Sequence, residues 1–461
     1  MPRHATVHEF GALSIAQAAE QLMSGTTRSA DLITQVIARA SDPAGEGSRV
    51  FTQLYAERAR REAESWDAAR GRRTIPSVLA GLPISIKDLF DVAGEVTTAG
   101  SRALAHRPAA QHDAEVVARL RRAGAIIVGK TNMTEFAFSG LGLNPHFGTP
   151  RNPFERARGR IPGGSSSGAA ISVTDDMAIA AVGTDTGGSV RIPAAVCGLI
   201  GFKPTARRVP RDGSVPLSRT LDSVGPIART VECCAVLDAV MAGIPVDVPA
   251  PADLRGLKFA VARTLVWDDA ERQVASCVEQ ALTRLSLAGA VLTDRALPEL
   301  AEIPKLNARG GFSGPEAFAW HRKLIAEHRS SYDPRVLTRI EAGAAVSAAD
   351  YLDLIDARAR IQGSFAESLG DADAWIGPTV PCTAMEIASL AADDAYAAAN
   401  RLILRNPSLV NFLDGCAISL PCHVEGSAPV GISFAARHGD DRRLLAIARA
   451  VASVVAGQRP N

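Results

Sequence analysis

The sequence predicts an α/β layer fold, with a mixed, mostly buried central β-sheet flanked by helices on both faces. Two patterns predict it: short apolar runs that each end in a polar or glycine-rich turn, and helical stretches lying between them. Composition supplies the third observation. A chain of 461 residues that is 47% hydrophobic and 21% charged can bury a sizeable core and is not disordered as a whole.

The elements follow in order. Ser14 and Gln17 form the pattern of a capping box before Ala18–Met23, and Ser29 stands where it could cap the next helix, which carries Leu32, Val36 and Ile37 on one face. Residues 53–70 are helix-forming and highly charged, as a solvated helix would be. The strand-like runs are Pro83–Ile86, Ala125–Val128, Ala178–Val182, Lys258–Ala262, Ala374–Ile376, Ala417–Leu420 and Val430–Phe434. Helical stretches lie at Ala114–Ala123, Gln273–Leu287 and Ala348–Leu369, and the alanine-rich Ala391–Asn400 suits a further helix. Gly243–Gly256, with three prolines, reads equally as a linker or a long surface connection.

Charge and cysteine usage narrow the function classes. Fifty basic residues against 49 acidic ones leave a net charge of +1, so a strong pull on nucleic acid or an anionic membrane is not expected. The seven cysteines show neither a C-x-x-C pair nor zinc spacing, and no metal site is expected. The opening MPRHATVHEF lacks an apolar secretory core, and no run of ~18 apolar residues would span a membrane. A cytoplasmic protein with reduced thiols is the expectation.

The chemistry concentrates in Ile161–Thr205, which holds two glycine–serine turns, Gly163–Gly168 and Gly187–Ser189. Consecutive backbone N–H groups in such turns, together with a helix N-terminus, can stabilise an anion, and a hydroxyl placed there is sited to attack a carbonyl. Neither turn matches a phosphate-binding loop. Gly164–Gly168 does match G-x-S-x-G, which would make Ser166 a nucleophile with His423 or His438 as base, but that motif needs a strand directly before it and Arg156–Pro162 stands there instead. The remaining reading makes Ser189 the nucleophile with a base other than histidine. Lys87, at the end of an apolar run, is the candidate. Serving as base near neutrality requires its pKa to fall by ~3 from ~10.4, about 4 kcal/mol, which desolvation can supply. The competing reading is a surface lysine or an ion pair with Asp88 or Asp91.

These residues carry a family resemblance. The pattern G-G-S-S-S-G at Gly163–Gly168, then D-T-G-G-S-V-R-I-P-A-A at Asp185–Ala195, then Cys197-Gly198 and Gly201–Thr205, resembles the amidase signature enzymes. The likeness extends to Gly81–Asp91, Ala123–Phe136 and Asn144–Pro153, and more weakly to Pro378-Thr379 and Gly415–Arg437. It implies a single domain over residues 1–461: a helical segment to about 75, a signature core over about 76–240 and a variable substrate-region and C-terminal part over about 241–461. It also implies a Ser–cis-Ser–Lys triad of Ser189 as nucleophile, Ser165 as bridge after a cis Gly164–Ser165 bond and Lys87 as base. An oxyanion hole from the N–H groups of Thr186, Gly187, Gly188 and Ser189 goes with it. Asp185 and Arg191 would support the second turn, while Ser166 would hydrogen-bond locally or cap its helix.

On the same ground, Met133, Phe136, Phe138 and Leu141, which follow Lys130-Thr131-Asn132, are candidates to line the substrate pocket, as are Phe312 and Trp320 in a less family-like region; for each, packing in the core is the competing reading. The implied reaction is hydrolysis of a small-molecule amide through an acyl-enzyme, with no cofactor; a homodimer is left open. Two alternatives stand beside it. One is the glutamine-hydrolysing component of a tRNA-dependent amidotransferase, which commonly has Tyr-Gly after Lys-Pro-Thr where this chain has Ala206-Arg207. The other is a catalytically inactive scaffold homologue.

Overall fold

The structure, a computed structural model, describes residues 13–70 and 75–456. The reading of residues 1–10 as free of a secretory signal lies outside them. One eleven-stranded sheet runs through the molecule in the order β1-β3-β2-β4-β6-β5-β10-β11-β9-β7-β8. The strands are β1 Phe51–Leu54, β2 Pro83–Lys87, β3 Ile126–Thr131, β4 Ala180–Asp185, β5 Ile200–Lys203 and β6 Ser223–Ala228. They continue with β7 Lys258–Ala262, β8 Val291–Arg295, β9 Ala374–Pro378, β10 Cys416–Pro421 and β11 Gly431–Ala436. The sheet is mixed: β2 runs parallel to β3 and β4, and β7 to β8 and β9, while β4, β6, β5, β10, β11 and β9 are joined antiparallel.

Alternation along the strands divides the core between the two faces. Phe259, Val261, Ile376, Ile418 and Phe434 enter one apolar cluster, and their neighbours Ala260, Ala262, Trp375, Ala417 and Ala435 enter the other. All seven predicted runs are strands, and the sheet continues on both sides of Gly243–Gly256, which is a connection between a helix ending at Ala242 and β7.

The N-terminal helices show one agreement and one correction. Ser14 and Gln17 form the capping box of the helix Ile15–Ser24. Ser29 is not a cap: it is the first residue of the helix Ser29–Ala40, and its hydroxyl donates to the Gly81 carbonyl at 2.6 Å. The first amides of that helix donate instead to the Asp67 carboxylate, at 2.8 and 3.0 Å, an acceptor 37 and 38 residues away that no local pattern advertises.

Candidate active site

Both glycine–serine turns open helices, but only one follows a strand. The second turn lies between β4 and the helix Arg191–Cys197, so the sheet presents Ser189 at the end of a strand. The first opens the helix Ser167–Thr174 after a segment that, among the described residues, belongs to no strand and makes only an isolated bridge from Arg160 to Glu386. Ser166 therefore lacks the strand that a hydrolase elbow needs. Its hydroxyl reaches the Thr184 carbonyl at 3.4 Å and makes no capping bond. His423 packs beside Gly198, and His438 pairs with Asp414 at 3.2 Å.

The two turns are pressed together. The Gly164–Ser165 peptide is cis. The Ser166 amide donates to the Ser189 carbonyl at 3.3 Å, while the Ser165 carbonyl accepts from the Thr134 amide at 3.1 Å. Backbone approach this close admits no side chains: a Cβ on Gly164 would lie 2.5 Å from the Gly142 nitrogen. Gly188, at φ +122, would drive one into the Pro407 ring at 2.6 Å.

Lys87 ends β2 with its side chain fully buried. The carboxylates adjacent in sequence are committed elsewhere: Asp88 pairs with buried Lys130 at 3.0 Å, and Asp91 accepts from the Thr97 hydroxyl at 2.7 Å. Lys87 Nζ instead donates to Ser165 Oγ at 2.7 Å and to Thr184 Oγ1 at 2.9 Å. With no carboxylate in contact, burial lowers its pKa to about 7, against the opposing pull of the more distant Asp222 and Asp185 charges. Ser189 is 4% exposed, and among the described residues no hydrogen bond joins its hydroxyl to that of Ser165.

Behind the second turn lies a buried ion pair. Asp185 and Arg191 are both fully buried and joined by bonds of 3.0 and 2.9 Å. Asp185 also accepts from the amides of Gly188 (2.8 Å), Val190 (3.2 Å) and Arg191 (3.4 Å) and from Asn411 Nδ2 (3.0 Å). Burial alone would raise its pKa, but the Arg191 charge and these donors overcome that and hold it well below the usual carboxylate range. One expectation is corrected here. The Gly188 N–H is spent on Asp185, so it is not free to bind an oxyanion, whereas the Thr186, Gly187 and Ser189 amides carry no such commitment among the described residues.

Three contributors were invisible to sequence reading. Thr184 gives Lys87 its second acceptor. Asp222 accepts from Thr186 Oγ1 at 2.5 Å and from the Leu217 and Ser218 amides at 3.0 Å each, and burial raises its pKa to about 6. Asn411 braces Asp185 from 226 positions away. The predicted pocket residues sit in the loop that borders the Ser165 turn, yet all are buried in packing. Phe136 rings against His321 (4.3 Å), Tyr332 (5.2 Å) and Trp320 (6.2 Å); Phe138 lies under the Arg339 guanidinium at 4.4 Å; Met133 and Leu141 are fully enclosed. Phe312 is packed on Tyr351 and Phe412. What this loop brings to the turn is backbone.

The family profile described as Amidase matches residues 32–445. The chain belongs to the amidase family. Among relatives, it is 37% identical over 409 residues to a 2-amino-5-chloromuconic acid deaminase of Comamonas testosteroni, covering 85% of this chain and 88% of that one. It is 33% identical over 470 residues to a glutamyl-tRNA(Gln) amidotransferase component of a Roseiflexus species, covering 94% and 95%. A crystal structure of an amidase superimposes with a TM-score of 0.86 at 30% identity, covering 96% of this chain and 99% of that one. Amidase-family enzymes are hydrolases of carbon–nitrogen bonds that act on small-molecule amides. Among the described residues, no helix is long and apolar enough to cross a membrane.

Proposed function

We propose that this chain hydrolyses a carboxylic amide through an acyl-enzyme on Ser189, with Ser165 and Lys87 as the proton relay. The observation that carries the reading is a fully buried lysine, free of carboxylate contacts, that donates to the bridging serine at 2.7 Å and has a pKa of about 7. Near neutrality a large share of Lys87 is the free amine, which can take a proton from Ser165 as Ser165 takes one from Ser189. A rotation of the Ser189 side chain, which no hydrogen bond restrains among the described residues, would close the second leg of the relay. The alkoxide then adds to the amide carbon, and the oxyanion is met by the amides of Thr186, Gly187 and Ser189. One such donor is worth ~3–4 kcal/mol. The proton returns through Ser165 to the departing nitrogen, and water cleaves the ester by the same route.

Asp185 and Arg191 serve as positioning residues, fixing the turn that aims these amides. Cytoplasmic residence goes with this reading. The tests are Ser189→Ala, expected to abolish ammonia or amine release from a panel of primary amides, ureas and anilides, and a rate that climbs from acid pH with a midpoint near 7. Retained turnover, or a flat profile from about pH 5 to 9, would overturn it. A second reading, glutamine hydrolysis feeding ammonia to a partner protein, draws on the relatives named as glutamyl-tRNA(Gln) amidotransferase components; Ala206-Arg207 in place of Tyr-Gly speaks against it. Including glutamine in the panel decides between the two.

A further inference from the structure

A cavity of about 320 Å³ opens on the surface around Asp222, with Arg207, Arg211, Arg219, Asp212 and Ser214 also in its lining. Its volume suits a small organic ligand. None of the three arginines forms an ion pair with a carboxylate among the described residues. Arg211 spends one nitrogen on the carbonyls of Arg219 and Asp222, at 2.9 and 3.2 Å, which tethers the loop. Arg207 and Arg219 are exposed, and no hydrogen bond occupies their guanidinium groups among the described residues. Of the two lining acids, Asp222 is occupied from the protein side by Thr186, Leu217 and Ser218, and Asp212 is exposed.

Two further observations bear on this cavity. Thr186, which donates to Asp222 in the cavity wall, stands three residues before Ser189 and directly precedes the second turn, so one hydrogen bond joins the wall to the segment that carries Ser189. Arg207 adopts φ +69, a conformation that favours glycine, at the very position where the amidotransferase pattern has glycine. An arginine side chain stands where the backbone would be easier without one.

We propose that this cavity binds a carboxylate of the substrate, so that the amide cleaved at Ser189 carries an acid group on its acyl or amine part. Planar guanidinium groups with unspent donors match a carboxylate in both charge and geometry. The proposal rests on the amidase reading above, and its test separates the two. Monoamides of dicarboxylic acids with two to five methylenes are compared with neutral amides of equal length ending in a methyl group, in wild type and in the Arg207→Gln/Arg219→Gln double variant. The readout is the ratio of kcat/KM for acid over neutral amide. Wild type is expected to favour the acid, and the double variant to lower the ratio about tenfold, with added salt eroding it in wild type alone. A ratio equal in both proteins, or a wild-type preference for the neutral amide, overturns the proposal. Calorimetric titration of Ser189→Ala with the acid amides reads binding without turnover: binding lost on adding the two arginine substitutions supports the site, and binding that is absent or indifferent to them refutes it. Turnover persisting in Ser189→Ala would sink the catalytic reading while leaving the ratio to decide the cavity.

Discussion

Replacing Lys87 by Met exposes the energetic cost of a buried lysine. In the folded chain the lysine pKa is about 7 against an ordinary 10.5. At 1.36 kcal/mol per pKa unit, this lysine destabilises the fold by about 5 kcal/mol at and below pH 7. The sign follows from proton counting. Between the two pKa values the unfolded chain binds the proton and the folded chain does not, so the lysine's contribution to stability is fully present above pH 10.5. It is lost as pH falls to about 7. Methionine fills similar volume without a titrating group but forfeits the bonds to Ser165 and Thr184, a pH-independent cost of about 1–3 kcal/mol.

The gap between the two proteins should therefore move in favour of Lys87→Met by about 2.5 kcal/mol from pH 9 to pH 6 and then level off. For a chain of this size that is roughly 2–3 °C in Tm, read by scanning calorimetry of both proteins in matched buffers. Activity should be lost throughout. A Tm difference that stays constant from about pH 6 to 9 would mean that the lysine is not held neutral, and the reasoning would fall.

Three other perturbations follow from the same geometry. Asp222→Asn removes a negative charge that opposes the lowering of the Lys87 pKa, so the acid limb of the rate profile should move below pH 7; an unmoved limb would separate the two groups. Arg191→Ala leaves the Asp185 carboxylate buried without its cation, which should cost about 3–5 kcal/mol in stability along with most of kcat; urea unfolding near wild-type values would refute the bracing role. His423→Ala and His438→Ala should leave the single-turnover rate within about threefold of wild type, since neither imidazole bonds to a site serine; a loss on the order of a thousandfold in either would revive a histidine base.

The strands that sequence reading found are those whose apolar runs are buried on both faces, because burial writes itself into composition. Of the four missed ones, β5 is buried throughout but only four residues long, with Gly201 and Lys203 breaking its apolar run, and the other three had their own physical reasons to be quiet. β1 and β8 form the two ends of the sheet, and β8 carries exposed or half-exposed residues throughout. β6 contains Gly225-Pro226, a pair that reads as a turn, yet it lies inside the sheet between β4 and β5. There Gly225 is needed because a Cβ would meet the Phe202 carbonyl at 2.1 Å.

The site divides in the same way. Ser165, Ser189, Asp185 and Arg191 stand in one stretch of the sequence, and Lys87 was legible as a lysine ending an apolar strand. Thr184, Asp222 and Asn411 sit at no diagnostic spacing, and only the folded backbone brings them in. The Gly188 amide shows the limit from the other side: sequence marks a turn rich in donors but does not say which donor an internal carboxylate has already taken.

The most direct measurement is mass spectrometry of the chain after reaction with a fluorophosphonate, with the labelling rate followed across pH. A single adduct on the Ser189 peptide is expected, with a rate that drops toward acid pH around a midpoint near 7 and vanishes in Lys87→Met. Modification of Ser165, Ser166 or a histidine in its place, or a rate indifferent to pH and to Lys87, would contradict a serine activated by a buried neutral amine.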